Sequence, residues 1–466
     1  MKKAQPKLFG TDGIRGLANA GPLSAGQVLK LGEATAALLA RHLHRRGRVG
    51  LGWDTRISSG MLAASLTAGL SSGGADVVSF GVIPTPAVSH LTRHFGLDTG
   101  IVISASHNPA LDNGIKYFSA EGGKFPEAWE LGLEKILERA APGGVKTGVH
   151  VGRVETVAAQ AVAAYTADWV RHFKPARIAG LRLVADLANG ATCRTVPLVF
   201  SGLGVKARYL SDQPDGLNIN DRCGSLHPEK AAAAVRKHQA DVGLAFDGDG
   251  DRVMLTDERG NVINGDRILG LLATHYARRG KLAGKCVVAT VMSNLGLEVY
   301  LKSRGIRLLR AAVGDKYVAR MMRQHKAILG GEQSGHILLP ALSPTGDGLV
   351  TALEVLRVVG AEDRELSELA GTWQDFPQVL INVSVSKRPD LLSLPKVKQE
   401  VAAAQRELKD RGRVNLRYSG TEPLARIMVE AENRDAALSW GERIADAVDD
   451  TLGDGKRRTL TWLTCA

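Results

Sequence analysis

The sequence is poor in cysteine and has no long hydrophobic run. Its 466 residues include four cysteines, at positions 193, 223, 286 and 465, and no two of them form a CxxC pair. This spacing argues against structural zinc and for a reducing compartment. No apolar stretch approaches the roughly 18 residues of a membrane span, and the charged residues 1–7 are not followed by the apolar core of a signal peptide. We therefore expect a cytoplasmic protein with no membrane partner.

Aromatic residues are also scarce, at 5% of the chain, although the net charge is +12. Positive charge is compatible with nucleic acid or with an anionic small substrate. The basic clusters at residues 41–48 and 456–458 contain no interleaved aromatic side chains on which bases could stack. No GxxxxGK[ST] motif occurs, and no GxGxxG follows a strand, which argues against a nucleotide cofactor. We expect a small anionic substrate and no nucleic-acid partner.

The chain does contain three carboxylates within five residues, Asp247, Asp249 and Asp251. At an effective dielectric near 20, two like charges ~4 Å apart repel by about 4 kcal/mol, so a divalent cation would relieve the strain. Mg²⁺ and Ca²⁺ take oxygen ligands of this kind. Glycines between the aspartates let the backbone curl inward. Residues 241–246 and 252–256 have strand patterns, which predicts a metal-binding loop at a strand end.

A calcium-binding EF-hand loop is the alternative, because Glu258 falls at its twelfth position. However, Arg252 replaces the sixth-position glycine, and strands replace the flanking helices. These departures favour a metal loop in an α/β sheet.

Short apolar strands alternate with helical patterns along most of the chain, which is the βαβ rhythm of α/β folds. Examples of such strands lie at residues 48–53, 75–80, 100–104, 182–186 and 285–290. After about residue 371 the pattern changes to a smaller α+β domain. We predict there a strand (378–386), a long helix (389–411), two strands (413–418 and 424–432), a helix and a terminal strand.

A second candidate site follows the strand at 100–104. Ser104, Ser106, His107 and Asn108 lie in a turn that Pro109 fixes. Serines at strand ends are candidate nucleophiles, although an isolated segment of this kind is explained equally well as a turn or helix cap. A phosphorylated serine beside Mg²⁺ is a phosphoryl donor, so the metal loop favours the catalytic interpretation.

Further polar loops suit phosphate and sugar. Residues 415–423 contain groups that together bind phosphate: a guanidinium, two hydroxyls and a backbone that a ligand can approach closely. These groups belong to Arg417, Ser419, Gly420 and Thr421. Residues 330–336 form a glycine-framed loop with groups suited to sugar hydroxyls, namely Glu332, Ser334 and His336. Taken alone, each is only a polar turn.

Together the motifs resemble those of the α-D-phosphohexomutases. The motifs are FGTDGIRG (9–16), SASHNP (104–109), DGDGDR (247–252), GGEQSGH (330–336) and RYSGTEP (417–423), and they occur in family order. With Gln333 and Tyr418, the pattern is most similar to the branch that acts on glucosamine phosphates. The resemblance implies three related α/β domains with mixed sheets plus a smaller C-terminal α+β domain around a central cleft. Their expected roles and bounds are phosphoserine (1–155), metal-binding (156–257), sugar-binding (258–370) and phosphate-binding (371–466).

The resemblance also implies roles for individual residues. Ser106 would carry the phosphoryl group and bind Mg²⁺ together with Asp247, Asp249 and Asp251, whereas Ser104 would be structural. The transferring phosphoryl would be surrounded by Arg15, His107 and Lys116, with Lys116 transferring the proton and Arg252 supporting the metal loop. The sugar would be held by Glu332, Ser334 and His336. The phosphate that is not transferred would be bound by Arg417, Ser419, Gly420, Thr421 and Arg426.

The implied reaction converts a hexose 6-phosphate into its 1-phosphate through a 1,6-bisphosphate, which also serves as activator. Alternatives are a phosphomannomutase or phosphoglucomutase with the same chemistry, a metal-dependent phosphatase, and a non-catalytic protein that binds sugar phosphate or nucleic acid. All residues that the mutase chemistry needs are present. A homodimer is compatible with the sequence.

Overall fold

Four β-sheets follow one another along the described part of the chain. The structure is a computed structural model, and it describes residues 8–10, 12–138, 144–371, 373–419, 422–456 and 458–463. Two compact units are present: residues 1–290 with 309–371, and residues 291–308 with 372–466. No helix among the described residues is long and apolar enough to cross a membrane.

The first sheet is mixed and has the strand order β1-β5-β4-β2-β3-β6. Its strands are β1 (Ile14–Leu17), β2 (Arg48–Trp53), β3 (Asp76–Val82), β4 (Thr99–Ile103), β5 (Asp112–Ser119) and β6 (Val154–Thr156). Its helices are α1 (Ala25–Leu43), α2 (Ile57–Ser72), α3 (Thr85–His94) and α4 (Glu127–Leu137). Strands β2, β3, β4 and β6 run parallel, whereas β5 and β1 run antiparallel to their neighbours.

Close packing of α1 on α2 covers one face of this sheet. A Cβ atom at Gly69 would lie 2.0 Å from the carbonyl oxygen of Leu29, so only glycine allows the two backbones to approach this closely. The core beneath contains fully buried leucines such as Leu39, Leu51 and Leu66. Burying each such side chain contributes about 1.5–3 kcal/mol, which fixes the sheet whose strand ends carry the polar loops.

The second sheet has the order β11-β10-β9-β7-β8. It contains β7 (Arg182–Asp186), β8 (Lys206–Leu210), β9 (Val242–Phe246), β10 (Val253–Thr256) and β11 (Val262–Ile263), with α5 (Ala158–Phe173), α6 (Val196–Gly202) and α7 (Glu229–His238). Strand β9 is fully buried, as its continuous apolar sequence predicts. Because β9 and β10 are antiparallel and pair Phe246 with Val253, residues 247–252 form the loop of a hairpin.

The third sheet has the order β13-β12-β14-β15. It contains β12 (Cys286–Thr290), β13 (Arg307–Ala311), β14 (Gly330–Gly331) and β15 (Ile337–Leu338). The helices of this part of the chain are α8 (Gly265–Arg278), α9 (Leu295–Lys302), α10 (Asp315–His325), α11 (Gly348–Glu362) and α12 (Leu366–Ala370). The short hairpin β14–β15 presents residues 332–336 as its turn.

The fourth sheet is antiparallel, with the order β17-β18-β16-β19. It contains β16 (Gln378–Ser384), β17 (Gly412–Tyr418), β18 (Leu424–Ala431) and β19 (Thr459–Trp462), with α13 (Pro395–Leu408) and α14 (Arg434–Leu452). The predicted α/β and α+β organisation with mixed sheets is confirmed.

The predicted helix over 389–411 is wrong at its start. The observed helix α13 begins six residues later, at Pro395. Proline favours the first helical position because it lacks the N–H that would be unpaired there, and it forces the preceding Leu394 into an extended conformation. Residues Leu391–Ser393 form a separate 3-10 turn that Asp390 caps.

Candidate active site

The hairpin loop between β9 and β10 buries three carboxylates. Side-chain oxygens of Asp247, Asp249 and Asp251 lie within 4.8 Å of one another. Gly250 has a φ of +72°, in the left-handed region that glycine adopts without strain. A Cβ at Gly190 would lie 2.3 Å from the carbonyl oxygen of Gly248, so neighbouring backbone confines the loop. The predicted inward curl is therefore present.

The electrostatics of this loop suit a hard cation. Burial, with the neighbouring charges of Asp251 and Asp249, raises the pKa of Asp247 well above its usual range. The Oδ1 atoms of Asp249 and Asp251 are buried without a hydrogen-bond partner among the described residues. Buried acceptors of this kind are costly unless a ligand satisfies them. Mg²⁺, which prefers carboxylate oxygens, fits this donor set.

Ser106 lies directly against this loop. It follows β4, has a φ of +54° and is fully buried. Its hydroxyl donates to Asp247 Oδ2 at 2.5 Å, across 141 residues of sequence. Ser104 behaves differently, because its hydroxyl donates to Asp54 Oδ2 at 2.6 Å and accepts the Ser106 backbone N–H at 2.9 Å. Of the two serines, Ser106 is thus the one in contact with the metal loop.

The loop that carries Ser106 is held by Arg56, which the sequence interpretation missed. Arg56 is buried beside Asp54, with 2.8 Å between Nε and Oδ2. Its guanidinium donates to the carbonyl oxygens of Ser106 at 2.9 Å and Asn108 at 2.8 Å, and also to those of Pro109 and Asp112. Five donors in a rigid fork suit such a role. The only sequence signal is an Asp-Thr-Arg segment after β2.

Lys116 also approaches the metal loop. The register of β4 and β5 places it opposite Val102, near the strand end that leads to Ser106. Its Nζ lies 2.9 Å from Asp249, 3.4 Å from Asp251 and 3.0 Å from Asp12. Burial alone would lower the pKa of Lys116, but these three carboxylates raise it well above its usual range. Lys116 is therefore a cation in this arrangement.

Asp12 connects Lys116 to further cations. Its carboxylate pairs with Arg15 at 2.8 Å and also with Lys124. Lys124 in turn pairs with Asp315 at 2.7 Å. The sequence interpretation assigned no role to Asp12, Lys124 or Asp315, because nothing in the local sequence pairs residues so far apart.

His107 stands beside the nucleophile. Its Nδ1 lies 3.3 Å from the Ser106 hydroxyl oxygen. Burial, together with the positive charges of Arg252 and Arg15, lowers the pKa of His107 to about 4. The imidazole is therefore neutral at pH 7 and can accept a hydrogen bond. Arg252 itself lies 3.7 Å from Asp251 and donates its backbone N–H to Asp247 at 3.2 Å.

The 332–336 turn brings His336 toward the same carboxylates. His336 Nδ1 lies 3.6 Å from Asp251 Oδ1, and Nε2 lies 3.7 Å from Asp315 Oδ2. Burial alone would lower the pKa of His336, but the charges of Asp251, Asp315 and Glu332 raise it to about 9. Glu332 accepts the Gly314 backbone N–H at 3.0 Å, and Ser334 is half-buried in the same turn.

Two arginines face each other on the sheet of the C-terminal domain. Arg417 on β17 pairs in register with Arg426 on β18. Burial and the charge of Arg426 lower the pKa of Arg417. Arg426 contacts Glu422 at 2.9 Å, and Arg417 has no carboxylate within ion-pair distance among the described residues. Ser419 is buried and accepts the Glu422 N–H. Gly420 and Thr421 lie outside the described residues.

Comparison with known proteins identifies the family. The phosphoglucomutase/phosphomannomutase α/β/α domains I, II and III match residues 6–144, 163–260 and 264–376, and the C-terminal domain of the same family matches residues 380–447.

Whole-chain relatives agree with these domain matches. A phosphoglucosamine mutase of Nitratidesulfovibrio vulgaris is 47% identical over 96% of this chain and 99% of its own length. A phosphoglucosamine mutase of Moorella thermoacetica is 49% identical over 92% of this chain and 96% of its own length. The crystal structure of a phosphoglucomutase/phosphomannomutase family protein from Burkholderia thailandensis superposes with a TM-score of 0.79 at 25% identity, covering 95% of this chain and 97% of that one. The chain therefore belongs to the phosphoglucomutase/phosphomannomutase family of α-D-phosphohexomutases and is most similar to its phosphoglucosamine mutase branch.

Proposed function

We propose that the protein is a phosphoglucosamine mutase, which interconverts glucosamine 6-phosphate and glucosamine 1-phosphate. The observation that carries the chemistry is the 2.5 Å contact between the Ser106 hydroxyl and Asp247 in a buried three-carboxylate loop. The substrate follows from the names of the relatives at 45–49% identity.

Mg²⁺ would be held by Asp247, Asp249, Asp251 and the phosphorylated Ser106. The buried Oδ1 atoms of Asp249 and Asp251, which have no hydrogen-bond partner among the described residues, support this assignment. When bound, the ion supplies positive charge to the phosphoryl oxygens, where negative charge accumulates in phosphoryl transfer.

Phosphorylated Ser106 donates its group to the free hydroxyl of the substrate, and the product of this step is a glucosamine 1,6-bisphosphate. Arg15 and Lys116 stabilise the transferring group by their positive charge. Arg15 acts by charge alone, because a guanidinium does not titrate near neutral pH. Lys116 is the proton-transfer group, and because its raised pKa keeps it protonated, it gives a proton to the Ser106 oxygen as the phosphoryl group leaves. His107 is the acceptor for the substrate proton, because its pKa of about 4 keeps the imidazole neutral.

The bisphosphate then turns end for end, and its other phosphoryl group returns to Ser106. Both orientations need the same contacts to the sugar, from Glu332, Ser334 and His336. The phosphate that is not reacting is bound by Arg417, Ser419, Gly420, Thr421 and Arg426. The two opposed arginines support this role, because like charges across a strand pair are destabilising without an anion.

A sugar 1,6-bisphosphate acts as activator, because it can phosphorylate an unmodified Ser106. We expect the reaction in the cytoplasm, with sugar phosphates rather than nucleic acid as partners. A homodimer is the oligomeric state to test, by light scattering.

A phosphoglucomutase or phosphomannomutase is the second candidate, because the matching domain families carry those names. The two candidates differ in the substituent at C2 of the sugar, an amine or a hydroxyl. We would follow ³¹P NMR of the protein with Mg²⁺ and trace sugar bisphosphate, offering glucosamine, glucose and mannose 6-phosphates in parallel.

Fast formation of a 1-phosphate from glucosamine 6-phosphate alone is the expected result. Comparable turnover of glucose or mannose phosphate would move the assignment to the second candidate. Absence of isomerisation by protein that carries phosphorylated Ser106 would refute both.

A further inference from the structure

A second cluster of metal-ligating side chains lies away from the phosphoserine loop, between α3 and α5. His90 and His94 are one helical turn apart on α3, so both project from the same face. His90 Nε2 lies 2.9 Å from Asp168 Oδ2 on α5, and His94 Nδ1 lies 3.4 Å from the same oxygen. All three ligand atoms are within 4.8 Å of one another.

We propose that His90, His94 and Asp168 form a site for a transition-metal ion of the Zn²⁺ type. Zinc binds imidazole nitrogen and carboxylate oxygen at about 2.0–2.2 Å, so neighbouring ligands of a tetrahedral site are about 3.3 Å apart. The observed 2.9 and 3.4 Å bracket this spacing. Two imidazoles with one carboxylate favour zinc over Mg²⁺, which prefers oxygen ligands alone.

The surroundings leave the ligands competent and accessible. Burial lowers the pKa of His90, although Asp168 opposes the shift, and the ring is therefore in the neutral form that binds metal. The side chains of His94 and Asp168 are 40% and 26% exposed, so an ion can enter and keep water as its fourth ligand. Arg171 contacts Asp168 through the other carboxylate oxygen, Oδ1, at 3.2 Å. Oδ2 is thus left for the ion.

An ion at this site would tie together two helices that reach the catalytic loop. At the start of α3, the Thr85 hydroxyl donates to Asp249 Oδ2 at 2.7 Å. On α5, the Tyr165 hydroxyl donates to Asp347 Oδ2 at 2.8 Å, and the next residue, Gly348, donates its N–H to the Gly250 carbonyl. The site therefore lies on elements that position the loop while sharing no ligand with it.

The test uses Co²⁺ as a spectroscopic probe for zinc. The full-length protein is stripped with EDTA, saturated with Mg²⁺ to fill the aspartate loop, and titrated with Co²⁺. We expect one equivalent to give the intense visible absorption of four-coordinate cobalt, and Zn²⁺ to displace it. His94→Gln and Asp168→Asn should weaken the affinity at least about tenfold, because even outer-shell changes cost 10- to 100-fold.

His238→Gln is the matched control, because His238 is exposed at the end of α7 and has no part in the cluster. It should bind Co²⁺ as the unchanged protein does. Circular dichroism and mutase activity in Mg²⁺ establish that the variants are folded. An absent band, a band that excess Mg²⁺ removes, or a band unchanged in both ligand variants would overturn the proposal.

Discussion

The two polar regions of this protein have opposite charge arrangements. Around the β9–β10 loop, three buried carboxylates lie together, and the Oδ1 atoms of Asp249 and Asp251 have no hydrogen-bond partner among the described residues. On the C-terminal sheet, Arg417 and Arg426 face each other across two strands, and among the described residues Glu422 is the one carboxylate in ion-pair contact, with Arg426 alone. The first arrangement is completed by a cation and the second by an anion.

The comparison shows how one chain can prepare two different ligand sites. Repulsion among like charges is stored in the folded state and is released only when the matching ligand binds. The carboxylate loop can store more of it because its charges are buried, whereas the arginine pair is half-buried. Changes at the loop should therefore have larger effects than changes at the arginines.

Replacing the nucleophile should have the largest effect. Ser106→Ala removes the oxygen that carries the phosphoryl group, so mutase activity should fall by a factor on the order of 10⁴ or more, with folding intact. A coupled assay of glucosamine 1-phosphate formation measures the loss. Ser104→Ala is the control and should retain more activity, because Ser104 contacts Asp54 rather than the metal loop. Equal losses in both variants would contradict the assignment.

The metal-free protein should lose stability as pH rises. His336 has its folded pKa raised to about 9, so its contribution is complete below the unfolded value of 6.5 and disappears as pH passes through 9. The free energy of unfolding in EDTA should fall by roughly 3 kcal/mol across this window. Urea titrations at several pH values measure it. His336→Gln should flatten the slope, and an unchanged slope would show that another group titrates.

Asp249→Asn should impair the cation site at the β9–β10 loop. It removes the carboxylate charge of a ligand whose Oδ1 has no hydrogen-bond partner among the described residues, so we expect activity to fall at least about 100-fold and Mg²⁺ affinity to decrease. Calorimetric Mg²⁺ titration tests this. Glu258→Gln is the matched control, because Glu258 would be the twelfth EF-hand ligand but instead accepts the Ser367 N–H. Equal loss of affinity in the control would revive the EF-hand interpretation.

Arg56→Lys should separate positioning from charge. Lysine keeps the charge but cannot reach the carbonyls of Ser106 and Asn108 together, which leaves the Asn220 amide as the side chain that still holds both. Because displacement of the nucleophile by about 1 Å can cost 10²-fold, kcat should fall about 10- to 100-fold with little change in KM. Arg46→Lys, at a half-exposed ion pair with Asp76, should change neither. An unchanged kcat in Arg56→Lys would remove its positioning role.

Arg417→Ala should weaken phosphate binding at the arginine pair of the C-terminal sheet. Losing one charged hydrogen bond to phosphate, worth about 1.5–3 kcal/mol, should raise KM at least about tenfold. Stability should stay the same or rise by a few tenths of a kcal/mol, because a like-charge pair is relieved.

Arg413 on the same strand is the matched control for Arg417. It pairs with buried Glu430, so Arg413→Ala should lose about 3–5 kcal/mol of stability without the KM change. Steady-state kinetics with urea unfolding distinguishes the two variants. A large stability loss in Arg417→Ala would contradict the account.

Much of this arrangement could be predicted from sequence, because it depends on local patterns. Continuous apolar runs predicted the buried strands β2, β4 and β9 within one residue at either end. The spacing of the three aspartates predicted their cluster, and the motif resemblance predicted that Ser106 and Lys116 would lie near them. In each case the residues that matter are adjacent in the chain or belong to a recognised motif.

The rest depends on packing between distant segments. Arg56 reaches the Ser106 loop across 50 residues, and Lys124 meets Asp315 across far more. No periodicity or spacing encodes such partners. His336 was predicted to hold the sugar, and its approach to Asp251 arises from the turn between β14 and β15. The start of α13 was missed because the prediction extended the helix back to residue 389 and did not place Pro395 at the first helical position.

The central claim is that Ser106 exchanges phosphoryl groups with the substrate. It is tested most directly by labelling Ser106 with ³²P-phosphate, adding unlabelled glucosamine 6-phosphate with Mg²⁺, and following the label through a single turnover. The account predicts that the label leaves the protein and appears in glucosamine 1-phosphate, while an unlabelled phosphoryl group replaces it on Ser106. Label that stays on the protein, or that is released as inorganic phosphate, would contradict the account.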